Sequence, residues 1–245
     1  MLRYFVKRKR FLFSALFLVS LFSLSILNTL VNDGEIRQVK FHSDAAGNIL
    51  DSPPYPPFSV FIFGSDRYGY DLGHIMVEGA KWTIGITIMI VIFRLLLSIV
   101  LGSFLYSYNK RIYKCMKTLF EPFSVVPQTI IAYFILYSVL WMPLDGFHTP
   151  FWKRALFETF ILVMVAIPNL SLQVTNEMKL IENESFIEAS RTLGAGKTRI
   201  FLKHIVPHVY EKWILLFGQQ FIQSLQLLAH LGFMKLFFGG THYPD

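Results

Sequence analysis

The sequence predicts an all-α polytopic membrane protein with about five transmembrane helices and a small extracellular insert after the first. Three observations predict it. The 245-residue chain is 53% hydrophobic with a mean hydropathy of +0.47, above the roughly 45–50% apolar content of soluble domains. Several stretches reach the about 20 mostly apolar residues that a spanning helix needs. Basic residues gather in alternate connecting segments, as cytoplasmic loops do.

The first stretch, residues 11–31, has no charged residue and follows Arg3, Lys7, Arg8, Lys9 and Arg10. A cleavable signal has an apolar region of about 7–15 residues ending in a small-residue site. Here the run is longer and flows into Leu27-Asn28-Thr29-Leu30, so an uncleaved helix with a cytoplasmic N-terminus is expected. The other candidate spans are 81–106 with the internal charge Arg94, 118–142 with Glu121, 155–175 with Glu158, and 205–231. Lys110, Arg111, Lys114 and Lys117 mark the next cytoplasmic turn, while the acid-rich segment between the first two spans suits the outer face. The net charge of +7 is thus a topology signal, and it calls for no nucleic-acid partner.

Three regions follow: residues 1–31 as basic N-terminus and first helix, 32–79 as extracellular insert, and 80–245 as the helical core with a cytoplasmic loop at 176–204. In the insert, residues 36–41 alternate apolar and polar, 44–48 carry turn chemistry and Ile49-Leu50 suits a returning strand, so a hairpin is expected there. Pro53, Pro54, Pro56 and Pro57 enforce an extended stretch. The single cysteine, Cys115, excludes an intrachain disulfide and a cysteine metal cluster.

Within the loop at 176–204, residues 182–193 form one short helix with Phe186, Ile187, Ala189 and Leu193 as its apolar set. Gly194-Ala195-Gly196 interrupts, and 198–205 resume as a second short helix. The run Glu184-Ser185-Phe186-Ile187-Glu188-Ala189-Ser190-Arg191-Thr192-Leu193-Gly194, followed by His204-Ile205-Val206-Pro207, resembles the cytoplasmic EAA loop of ABC importer permeases. Glu188, Ala189, Gly194 and Pro207 match at the family spacing, and Ser190 stands for the second alanine. Earlier, residues 63–71 resemble the Phe-Gly-Thr-Asp, two residues, Gly-Arg-Asp signature of the dipeptide and oligopeptide permeases, the C-type subunit in particular. Gly64, Asp66, Gly69 and Asp71 match, Ser65 stands for Thr and Tyr70 for Arg, and Gly73-His74 departs from the usual Ser-Arg continuation.

The resemblance implies a multi-pass permease subunit of the cell membrane that imports di- or oligopeptides. It implies a homologous permease subunit as heterodimer partner, two ABC ATPase subunits that bind ATP and Mg, and an extracellular substrate-binding protein. The loop, with Glu184, Glu188, Ala189, Ser190, Arg191, Gly194, His204 and Pro207, would then be the coupling helix in the ATPase cleft. Relatives usually have a sixth span, so this sequence is either truncated or departs from the family. Related permeases carry other solutes, nickel chelates among them.

Gly194-Ala195-Gly196-Lys197-Thr198 ends like a Walker A loop, but that motif needs a glycine where Arg191 stands and a preceding strand. No cofactor is therefore expected in this chain. An intramembrane enzyme is the alternative from another class, but neither His-Glu-x-x-His nor Gly-x-Ser-x-Gly occurs.

Two features remain. Arg94, mid-span, either faces a translocation path, pairs with Glu121 or Glu158, or snorkels to the headgroups. Gln219, Gln223, Gln226 and His230 recur at helical spacing, a polar stripe that either lines a hydrated path or bonds to another helix.

Overall fold

The computed structural model describes residues 9–43, 49–107, 110–143 and 146–239. The basic residues Arg3, Lys7 and Arg8, the expected turn at 44–48 and the terminal segment 240–245 lie outside the described residues. The fold comprises two compact units that divide within one long helix, after Gly85.

The first unit begins with α1 (Lys9–Asn32). A two-stranded antiparallel hairpin follows, β1 (His42–Ser43) with β2 (Ile49–Asp51). The strand expected over 36–41 does not join it. Its peptide groups are taken by the segment before the next helix: Val39 N–H donates to the Gly69 carbonyl at 2.9 Å and Asp71 N–H to the Arg37 carbonyl at 3.0 Å. The pairing therefore starts only at His42, beyond the residues so engaged.

The long helix α2 (Leu72–Ser107) starts nine residues before the apolar stretch read from sequence, because Asp71 caps it and His74, Glu78 and Lys81 bond to α1, Lys81 through Thr29 and Ser25. Asn28 is the hub of that contact. Its amide donates to Glu78 Oε2 at 2.8 Å, while its Oδ1 lies 3.0 Å from His74 Nε2 and accepts from Asn32 at 2.9 Å. Since His74 Nδ1 accepts the Arg37 N–H, the ring donates through Nε2. Polar side chains joined across two apolar helices in this way exchange lipid contact for mutual hydrogen bonds.

The second unit continues with α3 (Lys110–Phe120), α4 (Pro122–Val125) and α5 (Gln128–Leu140). The sequence reads 118–142 as one span, but the chain bends by 84° between Val125 and Gln128. Pro127 is the cause: the residue before a proline is driven out of helical geometry, and Val126 is extended with φ −81° and ψ 127°.

Next come α6 (Phe151–Glu182), α7 (Ser185–Thr192), α8 (Lys197–Ile200), a π-helical turn (Phe201–Ile205) and α9 (Val206–Phe233). The segment assigned to a loop from 176 is thus helical to Glu182. The second short helix of the sequence reading is not separate either, since it runs through the π turn into α9. Pro207 accounts for the wide turn, because it offers no N–H and its ring would collide with the carbonyl four residues back. Among the described residues three helices are long and apolar enough to cross a membrane, or four with the bent pair as one span. The expected count of five adds α9, long enough at 28 residues but interrupted by polar side chains.

The core of this unit joins α2, α6, α7, α8 and α9 through Val91, Leu95, Leu170, Val174, Met178, Ile187, Ile200, Ile205, Val209 and Leu216. Gly102 lets α2 and α6 approach: a side-chain carbon there would lie 2.8 Å from Val174 and 2.9 Å from the Ser171 carbonyl. Thr175 uses the closeness, its hydroxyl lying 3.0 Å from the Gly102 carbonyl and 2.8 Å from that of Ser171.

Candidate functional site

Helix α7 is anchored on one side and open on the other. Ile187 is fully buried in the core, whereas Glu184, Ser185, Glu188 and Ala189 are exposed. Ser190, in the place of an alanine, sends its hydroxyl back to the Phe186 carbonyl at 2.9 Å, so the polar atom is satisfied within the helix. Arg191 pairs with Glu182 at the end of α6, and Phe186 stacks on His208 at 4.8 Å with His204 alongside at 6.3 Å.

The helix ends in a Schellman motif. Ala195 N–H donates to the Ser190 carbonyl at 3.0 Å and Gly194 N–H to that of Arg191 at 2.9 Å. Gly194 has φ +84° with open space around it, so the backbone conformation, and not crowding, favours glycine. Ala195 then packs against the core, which seats α7 at a fixed angle to α8. Pro207 follows in the first turn of α9.

The motif at 63–71 is a backbone junction in the first unit. Gly64 and Gly69 both have positive φ, +77° and +83°, and an added side-chain carbon would lie 2.6 Å from the Tyr55 carbonyl and 2.0 Å from that of Val39. Asp66 Oδ1 accepts from the N–H groups of Tyr68 at 2.9 Å and Tyr70 at 2.8 Å. Asp71 Oδ1 accepts from Gly73 N–H at 2.9 Å, opening α2. Ser65 uses only a hydroxyl, accepting from Tyr55 N–H at 2.9 Å and lying 3.0 Å from the Asp66 carbonyl, which explains why it can replace threonine. Each of these residues shapes the chain.

Arg94 is fully buried. Its Nε and Nη2 donate to the Leu162 carbonyl on α6 at 2.9 and 2.6 Å, and Nη1 to Gln220 Oε1 on α9 at 3.3 Å. Among the described residues neither expected acid pairs with it: Glu121 lies 3.5 Å from Lys117, and the Arg94 donors go to Leu162 and Gln220 and not to Glu158. Snorkelling is excluded as well, since the guanidinium ends on protein acceptors inside the bundle.

Gln219, Gln223, Gln226 and His230 are all exposed on α9. Gln220 and Ser224 are instead buried beside Leu216, Leu227 and Leu231. The two faces meet where Gln220 Nε2 donates to Gln223 Oε1 at 2.8 Å. Sequence reasoning missed Gln220; its shared helical face with Leu216, Leu227 and Leu231 was the available signal. It also missed Arg154, whose Nε donates to the Phe238 carbonyl at 2.8 Å while the guanidinium covers the Phe147 ring at 3.8 Å.

The model of the binding-protein-dependent transport system inner membrane component family matches residues 94–238. Among curated proteins, the oligopeptide transport system permease protein OppC of Bacillus subtilis (strain 168) is 27% identical over 162 residues, 66% of this chain and 48% of the relative. The chain thus spans about half the length of the curated relative it matches. A match across more than half of the chain, over the helices that carry α7, its glycine bend and the Arg94 contact, shows the family: this chain belongs to the binding-protein-dependent transport system inner membrane components.

Proposed function

We propose that this chain is a permease subunit of an ATP-driven importer of peptides, and that α7 is its contact with separate ATPase subunits. The observation that carries the reading is the two-sided build of α7: Ile187 is held in the core while Glu184, Glu188 and the small Ala189 stand exposed. A helix fixed on one side and open on the other suits insertion into a partner's cleft. Peptides are favoured as cargo by the relative named for oligopeptide transport. ATP and Mg belong to the partner ATPases in this reading, a homologous permease completes the path, and an external binding protein delivers the solute.

The exposed stripe Gln219, Gln223, Gln226 and His230 is the proposed wall of that path, since such side chains do not comfortably face lipid. Arg94 supports it from behind by fixing Gln220, which in turn holds Gln223.

The test is Ala189→Trp in the complex reconstituted with its ATPases and binding protein. Overpacking of this kind costs about 1–3 kcal/mol where a cleft has no room. Loss of substrate-stimulated ATP hydrolysis and uptake, with normal membrane levels of the subunit, is expected. Normal stimulated hydrolysis in the variant would refute α7 as the coupling element.

A further inference from the structure

Helix α3 lies against α6 by one face only. Tyr113, Met116 and Phe120 are half-buried, and the Tyr113 hydroxyl donates to Asn176 Oδ1 at 2.9 Å. Farther along, Asn169 donates to the Phe123 carbonyl at 2.9 Å. Asn169 and Asn176 are about 10 Å apart along α6, whereas Tyr113 and Phe123 are about 15 Å apart along their own segment. The α3–α4 segment therefore slants, entering beside the charged end of α6 and finishing beside its apolar stretch.

The outward face changes character along the same slant. Arg111 and Lys114 are exposed at the charged end, and Leu119 and Val125 are 58% and 83% exposed at the apolar end. Arg111, Lys114, Cys115, Thr118 and Leu119 line one shallow hollow. Two cations and a hydroxyl above an apolar floor match a phosphodiester with an acyl chain below it.

We propose that this face of α3 binds anionic phospholipid, with the phosphate at Arg111, Lys114 and Thr118 and the acyl chain along Leu119 and Val125. Charge complementarity selects net-negative headgroups over zwitterionic ones. A basic side chain at an anionic surface raises affinity roughly fivefold, so the pair contributes about twenty-fivefold. The site depends on the multi-pass membrane placement of the chain and not on what the importer carries.

The only cysteine lies in the hollow and is exposed, so it takes a single fluorophore. The full chain, labelled at Cys115 and reconstituted in phosphatidylcholine nanodiscs, is titrated with headgroup spin-labelled phosphatidylglycerol or headgroup spin-labelled phosphatidylcholine. Quenching by the phosphatidylglycerol at a roughly twenty-fivefold lower mole fraction is expected, with the preference reduced by high salt in the unaltered chain. The preference is lost in Arg111→Gln/Lys114→Gln. Equal quenching by the two lipids, no quenching by either, or an undiminished preference in the folded double variant overturns the proposal.

Discussion

Arg94 and Gln220, 126 positions apart in the chain, meet inside the helical bundle with Nη1 3.3 Å from Oε1. The contact joins the middle of α2 to α9, and the same guanidinium holds the Leu162 carbonyl of α6. One side chain thus ties three helices. Gln220→Leu removes an acceptor from a buried cation, and an unsatisfied buried donor costs about 1–3 kcal/mol. Gln219→Leu touches only an exposed position. Equilibrium unfolding in mixed detergent micelles should show a loss of that size for Gln220→Leu and little change for Gln219→Leu. Equal effects would refute the tie.

Gly102 is expected to tolerate no side chain. The added carbon meets the Ser171 backbone carbonyl, which cannot swing aside like a flexible side chain. Gly102→Val should cost roughly 1–3 kcal/mol by overpacking and separate α2 from α6. The check is protease resistance of the solubilised chain, compared with Gly79→Val, where nothing lies within 4 Å.

At Gly194 the space is open and the dihedral decides. A left-handed conformation costs a non-glycine residue roughly 1–2 kcal/mol, least for Asn. Uptake by the assembled complex should therefore fall in the order Gly, Asn, Val. If Asn and Val variants behave alike, the bend at the end of α7 is not set by this backbone conformation.

The exposed stripe on α9 gives a separate outcome. Gln223→Leu/Gln226→Leu makes that face apolar and should alter uptake or subunit assembly while leaving membrane insertion intact. Unimpaired uptake in the double variant would remove the stripe from the path.

Topology is tested at Cys115. The basic residues beside it predict a cytoplasmic position, so a membrane-impermeant thiol reagent should leave intact cells unlabelled at this site and label it once the membrane is opened. Rapid labelling from outside would invert the orientation of every helix.

Hydropathy made the long helices legible, since burial in lipid demands the same apolar run whatever the tertiary contacts. Spacing made α7 and its glycine bend legible, because both are local. The break at Pro127 was hidden because an apolar window averages over a bend that only one peptide unit makes. Arg94 pointed to a partner but not to which one: the Leu162 carbonyl belongs to the backbone and leaves no trace in residue type. For the motif at 63–71, residue identity suggested a shared role, and only the close carbonyls of Tyr55 and Val39 reveal that the glycines are steric necessities.

From Lys197 to Phe233 the backbone is helical without an intervening loop. Such a rod is roughly 55 Å long. Its base adjoins the bend at Gly194, and its far end carries His230. Acting as a lever, it magnifies small displacements: a tilt of about 5° at Lys197 carries His230 about 4 Å sideways over that length. The wide turn at Phe201–Ile205 is one place for the rod to yield, and in the proposed coupling those five residues are the joint that would govern how much of a push at one end arrives at the other.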